Sequence, residues 1–488
     1  MSWKDTAEPI LTRMPAVRRP EGHVPFKRKL GWTAGILVLY FFLTNVVLFG
    51  LGGEGGDVFG RFRSILAGSS GSLLQVGIGP IVTASIVLQL LGGADLLGLD
   101  TQNNPRDQVL YQGLQKLLVV IMTALTALPM VFAGFLSADP AVASNLGISV
   151  GALEWIIFLQ VFVGGILILF MDEVVSKWGV GSGIGLFIIA GVSQRMIGGL
   201  LSTPSFGGEW GIIPMWGRML LGQTDTASIL TPQGIQDLLI NDGQLLALFT
   251  TVAIFVIVVY AESVRVEIPL SNTRVKGARG RFPVKLIYAS VLPMILVRAL
   301  QMNIQFVGRI LNSQWASMPA WLGTYDGDGN VVSGIFYYLA PIQSPQDWMW
   351  FVGAGGGNTP LEIMTRVTVD LTIMIVGGAI FAIFWVKTTD MGPEATAQQI
   401  HNSGMQIPGF RQNVRSIERV LDQYIPQVTV IGGALVGVLA VGANMLGTIG
   451  SVSGTGLLLT VSITYKLYEE IAEEQLMEMH PMMRQMFG

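Results

Sequence analysis

Ten times along this chain an apolar run approaches the ~20 residues that an α-helix needs to cross a bilayer. The windows are about 31–52, 72–93, 113–135, 151–171, 180–198, 244–262, 285–311, 366–386, 426–446 and 452–468. Inside lipid no water is present to satisfy peptide groups, so runs of this length must fold as helices. The expectation is an all-α membrane protein with ten transmembrane helices. Charge content agrees, since 12% of residues are charged where a soluble domain carries roughly a quarter. The chain has no cysteine, which excludes disulfides and thiolate chemistry. His23, His401 and His480 stand in polar segments without a partner at metal-ligand spacing, so neither metal nor cofactor is expected.

Orientation follows from where the basic residues fall. Placing the N-terminus in the cytoplasm puts 22 of the 29 Lys and Arg residues on that side, the bias expected of short cytoplasmic loops. Both termini are then cytoplasmic. The arm 1–30 lacks the cleavage pattern of a signal peptide and is expected to be retained. Helices 1–5 occupy 31–200, an external loop covers 201–243, and helices 6–10 occupy 244–470. Cytoplasmic loops are expected at 263–284 and 387–425, with a tail at 471–488. Two five-helix units in one chain face opposite ways across the membrane, which suits a pseudo-symmetric inverted repeat.

The helices are nearly free of ionisable groups, which usually mark ion or proton pathways. Glu154 and Asp370 fall near the ends of their windows. Arg298, in "LPMILVRALQMN", is the one mid-helix charge. It reads first as a long side chain reaching toward water, and second as the lining of an aqueous vestibule. "GSGIG" at 181–185 lacks the remaining glycine and preceding strand of a dinucleotide fingerprint. "DGDGN" at 326–330 starts like a calcium loop, but Val331 and Tyr337 replace its required glycine and glutamate. Walker, HExxH and GxSxG sequences do not occur, so the chain reads as a passive conduit rather than an enzyme.

Two apolar pairs stand out. Ile78 and Val82 in "QVGIGPIVTASIVLQLLGG" share a helix face, as do Ile184 and Ile188 in "GVGSGIGLFIIAG". Gly77, Gly79, Gly181, Gly183 and Gly185 beside them remove side chains where helices would approach closely. Residues of this kind also suit ordinary packing. Gathered into a ring, they would form a constriction that wets poorly and stays closed to ions without a charged gate.

The stretches "GIGPIVTASIVLQLLGG", "MDEVVSKWGVGSGIGLFIIAGVSQ", "YAESVRVEIPLSNTRVKGARGRFPVK" and "GTGLLLTVSITYKLYEE" resemble the archaeal SecY family, the central subunit of the Sec protein translocation channel. "VPFKRKLGWT" and "IPGFR" are similar as well. The resemblance covers about residues 8–485. It implies a plasma-membrane channel that conducts unfolded secretory polypeptides and releases transmembrane segments sideways into lipid. It implies a pore ring of Ile78, Val82, Ile184, Ile188, Leu292 and Ile295, completed in helix 10 by Leu439. It places a plug at about 60–70, including Arg61, Phe62, Ile65 and Leu66. A lateral gate would lie between helices 2–3 and 7–8, with Thr83 and Asn303 as its polar residues. Thr126 stands where a related pattern has glutamate. Arg274, Lys276, Arg279, Arg281 and Arg411 would dock a ribosome, whose phosphates attract arginine-rich loops. A SecE-like clamp subunit, a small beta subunit and the signal-recognition receptor are the other implied partners.

Two rivals make different demands. A secondary transporter needs buried ion ligands beside broken helices, for which Arg298 is nearly the sole candidate. An insertase without a through-pore needs neither ring nor plug.

Overall fold

A computed structural model describes residues 3–479 except 23, 53–65, 94–95, 100–103, 205–209, 222, 224–233, 235–237, 240–242, 273–278, 288–291, 316–317, 327–329, 353–357, 390, 403–404 and 407–412. Ten main helices follow the ten apolar windows. They are α1 (Phe26–Thr44), α2 (Gly79–Gly93), α3 (Pro105–Phe132), α4 (Val150–Trp178) and α5 (Gly183–Leu201). The second set is α6 (Leu245–Ser263), α7 (Leu292–Gln314), α8 (Pro360–Thr388), α9 (Val414–Leu446) and α10 (Gly454–Met479).

Local signals set several helix starts. Asn104 accepts from the Arg106 amide before α3, and Ser149 accepts from Ala152 before α4. Thr359 and Glu362 form a reciprocal capping box around Pro360 at the start of α8, satisfying amides that a helix leaves unpaired. Among the described residues seven helices are long and apolar enough to cross a membrane. The other three are α1, whose first turn holds Lys27, Arg28 and Lys29, α10, whose last turns are charged, and α2. With 15 residues, α2 is only about 22 Å long, short of the ~30 Å apolar core. The buried, irregular chain at 72–78 precedes it.

The two halves repeat one packing plan. In the first, α1 packs on α4 and α5, α2 on α3, α3 on α4, and α4 on α5. In the second, α6 packs on α9 and α10, α7 on α8, α8 on α9, and α9 on α10. Each helix thus has a counterpart five places later. Because five crossings reverse the chain's direction, the second half is inverted relative to the first. The halves meet along α5 against α10, and again where α2 packs on α7 and α8.

Helix contact in lipid depends on close packing rather than water exclusion. At the α8–α9 crossing Gly378 faces Gly433, and a Cβ built on Gly433 would sit 2.6 Å from the Gly378 carbonyl oxygen. The face carrying the N-terminal arm also holds a small antiparallel sheet. β1 (Arg265–Asn272) pairs with β2 (Arg279–Lys285), and β1 also pairs with β3 (Met405–Gln406). The two long loops after α6 and α8 are therefore one structural unit. Its root is held by Glu469 of α10, which pairs with Arg265 at 3.0 Å and with Lys285. The arm itself is strapped to α4. Glu173 accepts from the Val17 amide at 3.1 Å and pairs with Lys116 at 2.8 Å, while Trp178 donates its indole N–H to the Arg18 carbonyl at 2.8 Å.

Gly433→Ala is expected to destabilise the protein by about 1–3 kcal/mol, the usual cost of overpacking. Gly442 in the same helix has no atom within 4 Å of a built Cβ, so Gly442→Ala should lose nothing. Thermal unfolding of the two purified variants in detergent is the check, and equal melting would contradict the close crossing.

Candidate functional site

The site is built where the halves meet. Ile78, Val82, Ile188 and Ile295 are buried members of a single apolar cluster drawn from both halves. Ile184, Leu292 and Leu439 pack against it half-buried. Ile78 and Ile188 have no measurable exposure, so these side chains are sealed in the interior rather than turned to lipid.

The chain before α2 closes onto this cluster from the first half. Leu66 is the one expected plug residue within the described set; Arg61, Phe62 and Ile65 lie outside it. Leu66 is buried, and its carbonyl accepts from the Ile78 amide at 2.8 Å. Gly77 has φ +59°, and a Cβ there would meet the Leu66 oxygen at 2.1 Å, so both backbone angle and space demand glycine. The Tyr40 hydroxyl donates to the neighbouring Ala67 carbonyl at 2.8 Å, and its ring stacks on Phe187. These contacts tie the segment at 66–67 to α1, α2 and α5.

Among the described residues, one side-chain hydrogen bond joins α2 to α7 across the seam between them. Asn303 Nδ2 donates to Thr83 Oγ1 at 3.2 Å, joining the two residues expected at the gate. Thr126 makes no such link, because its hydroxyl donates to the Met122 carbonyl of its own helix at 2.8 Å. The polar character of the seam therefore rests on Asn303 and Thr83.

A residue-level repeat underlies the α4–α5 and α9–α10 corners. Asp172 Oδ1 of α4 accepts from the Ile184 amide at 2.9 Å. Asn444 Oδ1 of α9 accepts from the Thr455 amide at 3.0 Å. The glycine before each capped residue abuts the capping helix: Gly183 lies against Asp172, and Gly454 against Ala443 and Asn444. The sequences at the two corners are "SGIGL" (182–186) and "SGTGL" (453–457). This match makes Thr455 the counterpart of Ile184, and Leu459 the counterpart of Ile188.

Three expectations are corrected. Leu439 lies in α9, within the ninth apolar window, and not in the tenth helix to which the resemblance assigns it, since α10 starts only at Gly454. Asp370 is not near a helix end. Helix α8 begins at Pro360, six residues before the apolar window, so Asp370 sits about three turns in and is 1% exposed. Arg298 neither reaches water nor lines a vestibule. It is 1% exposed and pairs with Asp370 at 3.0 Å. Arg279 and Arg281 stand on β2 opposite Ser271 and Pro269, whereas Arg274, Lys276 and Arg411 lie outside the described residues.

Two inverted five-helix halves, an apolar cluster shared between them and a hydrogen-bonded seam define a multi-pass helical membrane protein of the conduit type. A SecY family profile matches residues 72–468, and a profile described as the plug domain of Sec61p matches 38–71. The chain belongs to the SecY family. It is 73% identical over 490 residues to the protein translocase subunit SecY of Haloarcula marismortui, covering 100% of both chains. The same subunit of Haloferax volcanii is 72% identical over 494 residues, again with 100% of each covered. A solved structure described as a protein conducting channel superposes with a TM-score of 0.80 at 37% identity, covering 97% of this chain and 98% of that one. Sec61 in the canine ribosome-channel complex from the endoplasmic reticulum gives a TM-score of 0.77 at 37% identity and the same coverage.

Removing the seam's hydrogen bond by Asn303→Leu is expected to weaken closure by about 0.5–1.5 kcal/mol, raising the open population about two- to tenfold. A donor–acceptor dye pair on cysteines introduced into α2 and α7 measures it, with Thr83→Val closing the double-mutant cycle. Additive effects of the two substitutions would contradict a direct link.

Proposed function

We propose that this chain is the pore-forming subunit of a plasma-membrane protein translocase, passing unfolded polypeptides between its halves and releasing apolar segments through the α2–α7 seam. The observation that supports this reading is the shared cluster: apolar side chains from opposite halves are buried together, and the Ile78 amide donates to the Leu66 carbonyl beside it. A polymer of varied chemistry must not be bound tightly in transit. Apolar side chains give weak, non-directional contacts, so entry and exit are both easy.

In this reading the ring consists of Ile78, Val82, Ile184, Ile188, Leu292 and Ile295. Its tenth-helix member is Leu459, fully buried and the counterpart of Ile188. The halves divide at 201–243, and the segment about 60–70 is the plug that fills the idle pore. The arm and the tail are cytoplasmic, supported by the distribution of basic residues.

Arg274, Lys276, Arg279, Arg281 and Arg411 form the docking surface for a ribosome. The pairing of β1 with β3 supports it by joining the two loops that carry these residues. The canine Sec61 neighbour is described in a ribosome-channel complex. A SecE-like clamp, a small beta subunit and the signal-recognition receptor complete the partners. The chain acts as a passive conduit, powered by something other than itself.

Because the chain is free of cysteine, single cysteines at 78, 184, 295 and 459 are each expected to cross-link to a stalled secretory chain, with 439 as the negative control. Failure at 78, 184 and 295 would contradict the conduit. Reaction at 439 in place of 459 would overturn only the tenth-helix assignment.

A further inference from the structure

The second half carries a buried polar network centred on Arg298 and Asp370. Asp370 of α8 accepts from Arg298 Nη1 at 3.0 Å, from Gln301 Nε2 at 2.9 Å and from the Ile342 amide at 3.2 Å. Arg298 Nη1 also donates to Gln301 Oε1 at 2.8 Å, and its Nε donates to Thr455 Oγ1 of α10 at 3.3 Å. The same Thr455 oxygen accepts from Asn444 of α9 at 3.2 Å. One guanidinium therefore connects α7, α8 and α10 directly, and α9 through Thr455. At the counterpart corner of the first half, the position of Thr455 is held by Ile184, which offers no side-chain acceptor.

Stability does not explain such a pair. Both charges are fully desolvated, and Arg298 Nη2 is buried with no hydrogen-bond partner among the described residues. A buried ion pair is often no better than apolar residues of the same volume. What a guanidinium supplies instead is direction, because its donors leave a rigid plane at set angles. Arg298 stands three residues after Ile295, six after Leu292 and five before Asn303 on one helix. Fixing its plane fixes the rotation of the helix that carries two ring residues and half of the gate link.

We propose that Arg298 and Asp370 are positioning residues that set the rotation of α7 and bind it to α8, α9 and α10 as one block. The block moves against α2 when the seam opens, and Leu292 and Ile295 stay aimed at the waist while it does. The functional meaning rests on the conduit reading, but the rotation itself is measurable without any translocating chain.

A proximity pair lies beside the network. A Cβ built on Gly377 of α8 would stand 3.8 Å from Val297 Cβ of α7, within the range of a disulfide. In the full-length chain purified with its associated subunits, V297C/G377C should oxidise readily. The test substitutes Arg298→Met and Asp370→Leu together, so that no unpaired charge is left behind. The expected result is disulfide formation slowed about tenfold in an assembled complex, with a raised ion leak through the idle channel. Arg298→Lys should retain part of the rate.

Unchanged oxidation and unchanged leak in the double variant would overturn the proposal, leaving the pair as mere filling. If the double variant does not assemble, Arg298→Lys and Asp370→Glu carry the test: slowed oxidation supports the proposal and wild-type oxidation overturns it. Failure of nascent-chain cross-linking at the ring with the disulfide result intact would sink the conduit reading alone.

Discussion

In the proposed conduit, an apolar waist is the constraint on which the other features depend. A path for polypeptides must admit any side chain, so it cannot be selective by binding, yet it must not leak ions when idle. Side chains that water wets poorly meet both demands, provided they arrive from both sides of the path. That condition requires two halves with facing helices, and five helices in each half make the second an inverted copy of the first. The corners at Gly183–Ile184 and Gly454–Thr455 show how the copy works. In each, a side chain of the preceding long helix caps a glycine-started helix, setting the depth at which the next helix begins and hence the height of the residue proposed for the ring.

The long helices were legible in the sequence because the bilayer permits so little else, and a charge-free run of sufficient length announces itself. Depth along a helix was harder to read. The window for α8 starts at 366, since Thr359, Pro360 and Glu362 are polar or helix-breaking in composition. Yet those residues are an N-cap, a favourable first residue and a capping-box partner, so the helix starts six residues earlier and Asp370 becomes central. With Asp370 at depth, Arg298 has a partner and no reason to reach for water. Leu439 is a different case: it falls in the ninth apolar window, 426–446, and only the resemblance gives it to the tenth helix, which "GTIGSVSG" after Leu446 separates from α9. The signal that corrects this stood in the sequence as "SGIGL" and "SGTGL", five residues that become a repeat only when the capping residues of the preceding helices are seen.

The contacts on the arm face could not be read from periodicity. Arg279 and Arg281 were visible as a basic run, but strand pairing between loops more than a hundred residues apart is a tertiary fact. The sheet makes the two basic loops one surface, and Glu469 fixes that surface to α10. Lys29 of α1 also pairs with Glu474 of the same helix. The extended α10 thus touches the sheet, the start of the first half and, at its far end, the network around Arg298.

The seal itself is tested most directly by the ionic conductance of the idle, reconstituted channel. Replacing Ile78, Ile188 and Ile295 together by asparagine keeps side chains of moderate size but makes the waist wettable. A marked rise in conductance without any bound polypeptide is the expected result. Conductance equal to that of the unaltered channel, in a complex shown to be folded, would mean that these side chains do not close the path.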